Sequence, residues 1–328
     1  MTTTGGRGRG PWARSDRPPR TPPVVGVVPT LDAEELSRRR YLEDTGWPRL
    51  RRAVRDFIRR RPLGTIGAVI IIVMIFAAAF ADIVAPYGPD EGVFTGLPMA
   101  PSLEHLLGTD PFGRDVFSRL LYGARTALLV GFVSSLVGST LGLALGVIGA
   151  YFGGKTDELI QRLMDVLISF PLIVIAIAVV AALGPGTGNV IVAVTIPVIP
   201  RVARVVRSSG LAIVRMPYIE AARSVGVKAP RIMFRHMVPN VFAPYLILLT
   251  AFLGQAILLE ASLSFLGLGV VEPEPAWGLM LRGQGMAFLE QAPWLAIAPG
   301  IAISLAVFGF NLFGDSLRDA LDPRLRTA

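Results

Sequence analysis

Cysteine is absent from the 328 residues, and histidine occurs twice, as His105 and His236. The first absence removes disulfides, thiolate metal sites and cysteine nucleophiles; the second leaves too few imidazoles for a metal centre held by this chain alone. Charge is sparse as well: Asp, Glu, Lys and Arg make up 17% of the chain, with 32 basic residues against 24 acidic. Hydrophobic residues make up 52%, more than an ordinary soluble domain carries. Such a chain belongs in a bilayer.

A helix rises about 1.5 Å per residue, so crossing a ~30 Å hydrocarbon core takes roughly 20 apolar residues. Six stretches qualify, approximately Gly64 to Val84, Thr126 to Ala150, Leu159 to Leu183, Val190 to Val206, Val241 to Phe265 and Pro293 to Phe313. The third and fourth are divided by Gly184-Pro185-Gly186-Thr187-Gly188-Asn189, turn chemistry too short to be a domain. Pro171, Pro197 and Pro200 are expected to bend these two spans. No cleavable signal peptide is evident, because more than sixty residues precede the first span.

Basic residues orient the chain. With the N-terminus inside, 28 of the 32 Lys and Arg fall on the cytoplasmic side, and Arg114, Arg119, Arg125 and Arg282 fall outside. Long tails weigh less in this bias; without the fifteen basic residues of 1–62, the split is still 13 to four. Both termini are predicted to be cytoplasmic.

Residues 1–46 read as a disordered, polar cytoplasmic tail, rich at first in Pro, Gly and Arg. Residues 47–62 read as a basic interfacial helix. Trp47, Leu50, Val54, Phe57 and Ile58 recur at helical spacing, while Arg49, Arg51, Arg52, Arg55, Arg59 and Arg60 take other faces. Either this helix braces the first span from the membrane surface, or its arginines serve only as an orientation signal. The six-span domain occupies 63–328.

Gly149-Ala150-Tyr151-Phe152-Gly153-Gly154-Lys155-Thr156 matches the phosphate-loop expression GxxxxGKT. That motif works between a buried strand and a helix. Here an apolar, glycine-rich span precedes it, so nucleotide binding is not expected, and Lys155 reads as a mark of the inner face.

Between the fourth and fifth spans, residues 207–240 hold Arg207, Arg215, Arg223, Lys228, Arg231 and Arg235 against one acid, Glu220. Pro217 suits a first helical turn, and Glu220 complements the positive end of that helix. Ala221 and Ala222 have almost no side chain, so a partner surface can approach the backbone. Gly226 can supply a left-handed end; Pro230 can begin a second short helix, which Pro239 is expected to stop near Met237. Glu220-Ala221-Ala222, three residues, Gly226, nine residues and His236-Met237-Val238-Pro239 resemble the "EAA" loop of binding-protein-dependent ABC importer permeases. His236 replaces an apolar residue of that pattern. A basic loop facing cytoplasm and anionic lipid is the plainer alternative.

Two further stretches resemble the dipeptide, oligopeptide and nickel branch of that family. One is His105 to Val116 with Ser118-Arg119-Leu120, in which Asp110 and Asp115 suit turns or helix caps. It reads as a structural loop or as a contact for a docked binding protein; a metal site of His105, Asp110 and Asp115 fits no ligand spacing. The other runs from Glu260 through Gly269 to Pro273-Glu274-Pro275-Ala276-Trp277, with Asn311 to Arg324 after it. Glu260 lies inside the fifth span, where a carboxylate must be paired or face water. It either bonds a neighbouring helix or lines a translocation path, with Gln255 and Ser262 sharing or flanking that surface.

The resemblance covers about residues 50 to 326. It implies an all-α, polytopic membrane protein with six transmembrane helices and the type I ABC importer (MetI-like) permease fold. It implies a permease subunit, not an enzyme, in the cytoplasmic membrane. The implied partners are a homologous second permease, two ABC ATPase subunits, an extracytoplasmic substrate-binding protein and lipid, with no nucleic acid. ATP and magnesium would sit on the ATPases and no cofactor on this chain. In this reading Glu220, Ala221, Ala222, Gly226 and Pro239 couple to the ATPase. Peptide is the expected substrate, with nickel chelates, glutathione or other small solutes as alternatives. An ATP-independent secondary transporter and a non-transporting scaffold are the rivals; a relay of charges across several spans, which would favour the former, is not visible.

Overall fold

The computed structural model describes residues 55, 57–59 and 61–321. The expected tail 1–46 lies outside the described residues, as does most of the expected helix 47–62. Of the latter, Arg55 and Phe57 to Arg59 are helical, and the Phe57 ring lies 6.3 Å from that of Phe313. Among the described residues no strand forms, and a single isolated bridge pairs Thr109 with Asp115.

The first span, α1 (Pro62–Ala79), opens on a proline whose missing N–H costs nothing in the first turn. It continues through the short α2 (Ala81–Val84) into the connecting segment of residues 85–115, the one expected to lie outside. Asp115 then caps α3 (Val116–Phe152): its carboxylate accepts from Ser118 N at 2.7 Å and from Ser118 Oγ at 2.8 Å. At 37 residues, α3 is about 55 Å long, well beyond the hydrocarbon core. It is the central post of the bundle.

Along α3, Gly138, Gly142 and Gly146 recur every fourth residue, which sets them on one stripe. That stripe faces α6 (Thr187–Thr195) and α7 (Ile199–Val214). A Cβ at Gly142 would lie 2.7 Å from Val202 Cβ and 2.8 Å from Ile199 O; one at Gly146 would lie 2.7 Å from Ala203 O. No side chain fits there, so the two backbones meet directly, the packing that drives helix association in lipid. Val202, Ala203 and Val206 are fully buried in this seam.

The third apolar stretch does not form the single helix expected. It breaks into α4 (Gly154–Ile168) and α5 (Leu172–Leu183), bent by 91°. Pro171 has no N–H to continue the ladder and disfavours helical geometry at Phe170, so the chain turns a corner at Ser169-Phe170-Pro171. Twelve residues of α5 reach only about 18 Å. Among the described residues, five helices are thus long and apolar enough to cross a membrane, and six if the bent pair is one span. The fourth span bends more gently at Ile196 to Val198 and counts as one, Thr187–Val214.

After α8 (Pro217–Ser224) and α9 (Ala229–Ile232), a π-helical turn, Met233–Met237, leads straight into α10 (Val238–Leu266). The expectation that Pro239 stops the helix is therefore corrected: Ala229–Leu266 is one continuous span. The extra residue of the π turn carries the hydrogen bonding past the proline, with Val238 N donating to Met233 O. The chain closes with α11 (Trp277–Met280), a second π turn and α12 (Trp294–Leu321). α12 packs against α1 and α10, and Arg61 ties its end to α1 through Asp319 at 3.2 Å and Ser316 O at 3.1 Å. Outward-facing Val69, Ile72, Val73, Phe76, Ile301 and Phe308 remain exposed, as suits a lipid-facing surface.

Candidate functional site

Helix α8 carries the Glu-Ala-Ala triplet. Pro217 occupies its first turn, Glu220 lies in the acidic first turn, and Gly226 follows its end at φ +76°. At that angle an L side chain is strained, so glycine is required by the backbone. Gly226 N donates to Arg223 O at 2.9 Å and Val227 N to Ala222 O at 3.1 Å, which closes the helix end.

One side of α8 is anchored and the other is free. Ile219, Ile232 and Met237 are 0% exposed and pack with Val206, Ile213 and Val241. Burying each such side chain is worth about 1.5–3 kcal/mol, so the loop is fixed to the helix ends and does not trail from them. Ala222 is half-buried against this cluster; Glu220, Ala221, Gly226 and Pro239 are exposed. Around them stand exposed Arg215, Arg223, Lys228, Arg231 and Arg235, none ion-paired among the described residues. Val225 and Phe234 project from the same region, 79% and 74% exposed. The surface is positive, small-faced at the alanines and carries two apolar projections, of which the sequence reading singled out neither.

The path candidates divide. Gln255 and Ser262, seven residues apart on α10, line one groove of about 340 Å³ with Leu172, Ile173, Val198 and Leu259. Glu260 is not with them. It is 1% exposed, and its Oε1 accepts from Ser264 Oγ at 2.7 Å. Ser264 Oγ in turn accepts from Val270 N at 3.2 Å. The carboxylate thus faces the chain's own turn after α10. At about 100° per residue, Glu260 stands five residues and some 140° from Gln255, so the two take different faces of α10.

The outer segment is tightly bonded. Asp110 accepts from Phe112 N at 2.9 Å, Arg114 N at 3.0 Å and Arg114 Nε at 2.7 Å. His105 Nδ1 lies 2.9 Å from Asp115 Oδ1. Arg114 reaches Glu272 at 3.4 Å, and Arg119 donates to Pro89 O at 2.8 Å. Trp277 Nε1 donates to Leu120 O and Thr126 Oγ1 to Pro275 O, both at 2.9 Å. The two stretches that resemble family signatures therefore lock onto one another.

Charge links α7 and α4: Arg207 forms a bidentate pair with Asp157, and Arg204 pairs with Asp165. Arg201, Arg204 and Arg207 recur at intervals of three along α7. The partner acids on α4 became legible only with the bend. The GKT sequence sits at the corner between α3 and α4, with a helix where a nucleotide site has a strand.

Residues 138–327 match the family model of the binding-protein-dependent transport system inner membrane component, and residues 49–101 match the N-terminal transmembrane domain of oligopeptide transport permease C. The chain belongs to this permease family. It is 42% identical over 270 residues to the dipeptide transport system permease protein DppC of Alkalihalophilus pseudofirmus, covering 82% of this chain and 88% of that one. It is 43% identical over 277 residues to the glutathione transport system permease protein GsiD of Pectobacterium atrosepticum, covering 83% and 92%. In fold it resembles the inward-facing MetNI methionine ABC transporter, with a TM-score of 0.50 at 19% identity over 63% of this chain and 97% of that chain. The permease is an all-helical, multi-pass membrane subunit of an ABC importer, a transport protein rather than an enzyme. Membership implies work with an ATPase and a substrate-binding protein.

Proposed function

We propose that this permease forms half of a peptide translocation path and is driven through α8 by a separate ATPase. The observation that carries the reading is the division of α8 into a fixed side and a free one. Ile219 is buried with Ile232 and Met237, while Glu220 and Ala221 stand exposed amid five cations. A helix so held transmits a push to α7 and α10 instead of absorbing it. Glu220, Ala221, Ala222, Gly226 and Pro239 form the coupling segment, and Val225 and Phe234 add apolar anchors of the kind that dominate interfaces.

In this reading the complete importer holds a second, related permease, two ATPase subunits that bind ATP and magnesium, and an external binding protein. Both termini and the α8 surface face the cytoplasm, in keeping with the positive-inside bias. Gln255 and Ser262 line the path; Glu260 holds the outer end of α10. The names of the relatives, dipeptide and glutathione permeases, favour short peptides as cargo. The test is ATP-driven uptake of a labelled dipeptide by proteoliposomes holding the whole assembly. Uptake that persists with a non-hydrolysable nucleotide, or an assembly that lacks an ATPase touching α8, contradicts the reading.

A further inference from the structure

Three arginines stand at intervals of three along α7, and only two of them have an acid. Arg204 pairs with Asp165 and Arg207 with Asp157. Arg201 is exposed and has no carboxylate within 4.0 Å among the described residues. Its hydrogen bond is a long donation, 3.4 Å from Nη1 to Gln255 Oε1. Arg201 lies in the fourth apolar stretch, three residues past the bend at Ile196 to Val198 and five residues before the expected end of that stretch at Val206. A guanidinium within an apolar span is costly unless it meets water or a counter-charge.

The surroundings say which. A second groove of about 510 Å³, between α1, α3 and α12, is walled by apolar side chains such as Val73, Leu121 and Leu305, as suits lipid. The groove that Gln255 lines is mostly apolar as well, but it carries two polar side chains, Gln255 and Ser262, and Arg201 reaches it through Gln255. With Gln255 Oε1 accepting from Arg201, its amide nitrogen keeps its capacity to donate to a ligand in the groove. A guanidinium and an amide, both donors at one site, match an anion with two oxygens.

We propose that Arg201 is an anion-binding residue of the translocation path, and that its ligand is a side-chain carboxylate of the passing peptide. The assignment rests on the peptide-import reading given above. Gln255 holds the guanidinium toward the groove between transport events and joins it in donating to the carboxylate.

The test is ATP-driven uptake by proteoliposomes containing the full importer, with alanyl-aspartate and alanyl-lysine compared in the same preparation. Selectivity of the binding protein is common to all variants and cancels in the ratio of the two peptides. Arg201→Glu should lower the aspartate-to-lysine uptake ratio about tenfold, the weight of one charge-assisted hydrogen bond, while Arg201→Lys should hold it within about twofold. Equal loss for both peptides, or an unchanged ratio, overturns the proposal. So does an Arg201→Glu subunit that no longer co-purifies with the second permease, since the guanidinium would then belong to a partner acid. A wild-type assembly that imports neither peptide is a separate outcome, which overturns the peptide reading and this site with it.

Discussion

The Arg223 guanidinium lies 4.7 Å from the centroid of the Tyr151 ring, which fastens α8 to the C-terminal end of α3. Such a contact is worth about 0.5–1 kcal/mol at an exposed site. It gives a displacement of α8 a second route into the bundle besides its own chain connection to α7.

Tyr151→Leu and Arg223→Gln should each lower uptake per ATP hydrolysed, and the double variant should be no worse than the poorer single one. A double-mutant cycle on reconstituted transport reads this directly, with an expected interaction of about 0.5–1 kcal/mol. Additive losses would show that the ring and the guanidinium act separately.

Gly226→Asp should abolish uptake while the subunit still inserts. The position is held at φ +76°, so a side chain adds strain of about 1–3 kcal/mol and a new charge at the docking surface. Ala222→Trp should do the same by a different cause, since the half-buried alanine packs against the Ile219 cluster and an indole there must push α8 outward. Membrane yield and uptake measured on one preparation distinguish loss of coupling from loss of insertion. Normal uptake in both variants sinks the coupling role.

The shape of the loop around Glu220 was legible because its signals are local: Pro217 starts α8 and Gly226 follows its end, each for a backbone reason that sequence states outright. Span number was mostly legible for the same reason, since apolar length is a sum over residues. The 91° corner at Pro171 was not, because hydropathy averages over a proline without recording an angle. Pro239 misled in the other direction. Its missing N–H signals a stop, but the π turn Met233–Met237 supplies an alternative register that depends on tertiary packing around buried Met237. The facing of Glu260 away from Gln255 follows from the helical period alone and was available from the start. That it meets Ser264 and the turn at Val270 required the folded chain.

Ile219→Ala should destabilise the anchored side of the loop by about 2–5 kcal/mol, and Met237→Ala by a similar amount, because both side chains are 0% exposed. Limited proteolysis between Pro217 and Asn240 checks it: the variants should be cleaved at concentrations that spare the wild type. Phe234→Ala, which removes a side chain 74% exposed, should leave proteolysis unchanged and weaken only association with the ATPase. Equal protease sensitivity in all three would contradict the division of the loop into anchored and free sides.

The α3–α7 seam allows a sharper test of the glycine stripe. A Cβ at Gly142 would meet Val202 Cβ at 2.7 Å and Ile199 O at 2.8 Å, and a backbone oxygen cannot move aside as a flexible side chain can. Gly142→Leu should therefore force α3 and α7 apart and cost about 1–3 kcal/mol or more in overpacking. Gly188, in the first turn of α6, has nothing within 4 Å of an added Cβ. Gly188→Ala should be neutral or stabilise by up to about 1 kcal/mol through the lost freedom of the unfolded chain. Thermal unfolding of the two purified variants in the same detergent measures the contrast. Because α7 also carries Arg201, Arg204 and Arg207, a seam opened at Gly142 should weaken the Arg207 pair with Asp157 as well. Asp157→Asn should then add less than its full cost in the Gly142→Leu background, and strict additivity would show that the glycine stripe and the charge pairs are independent.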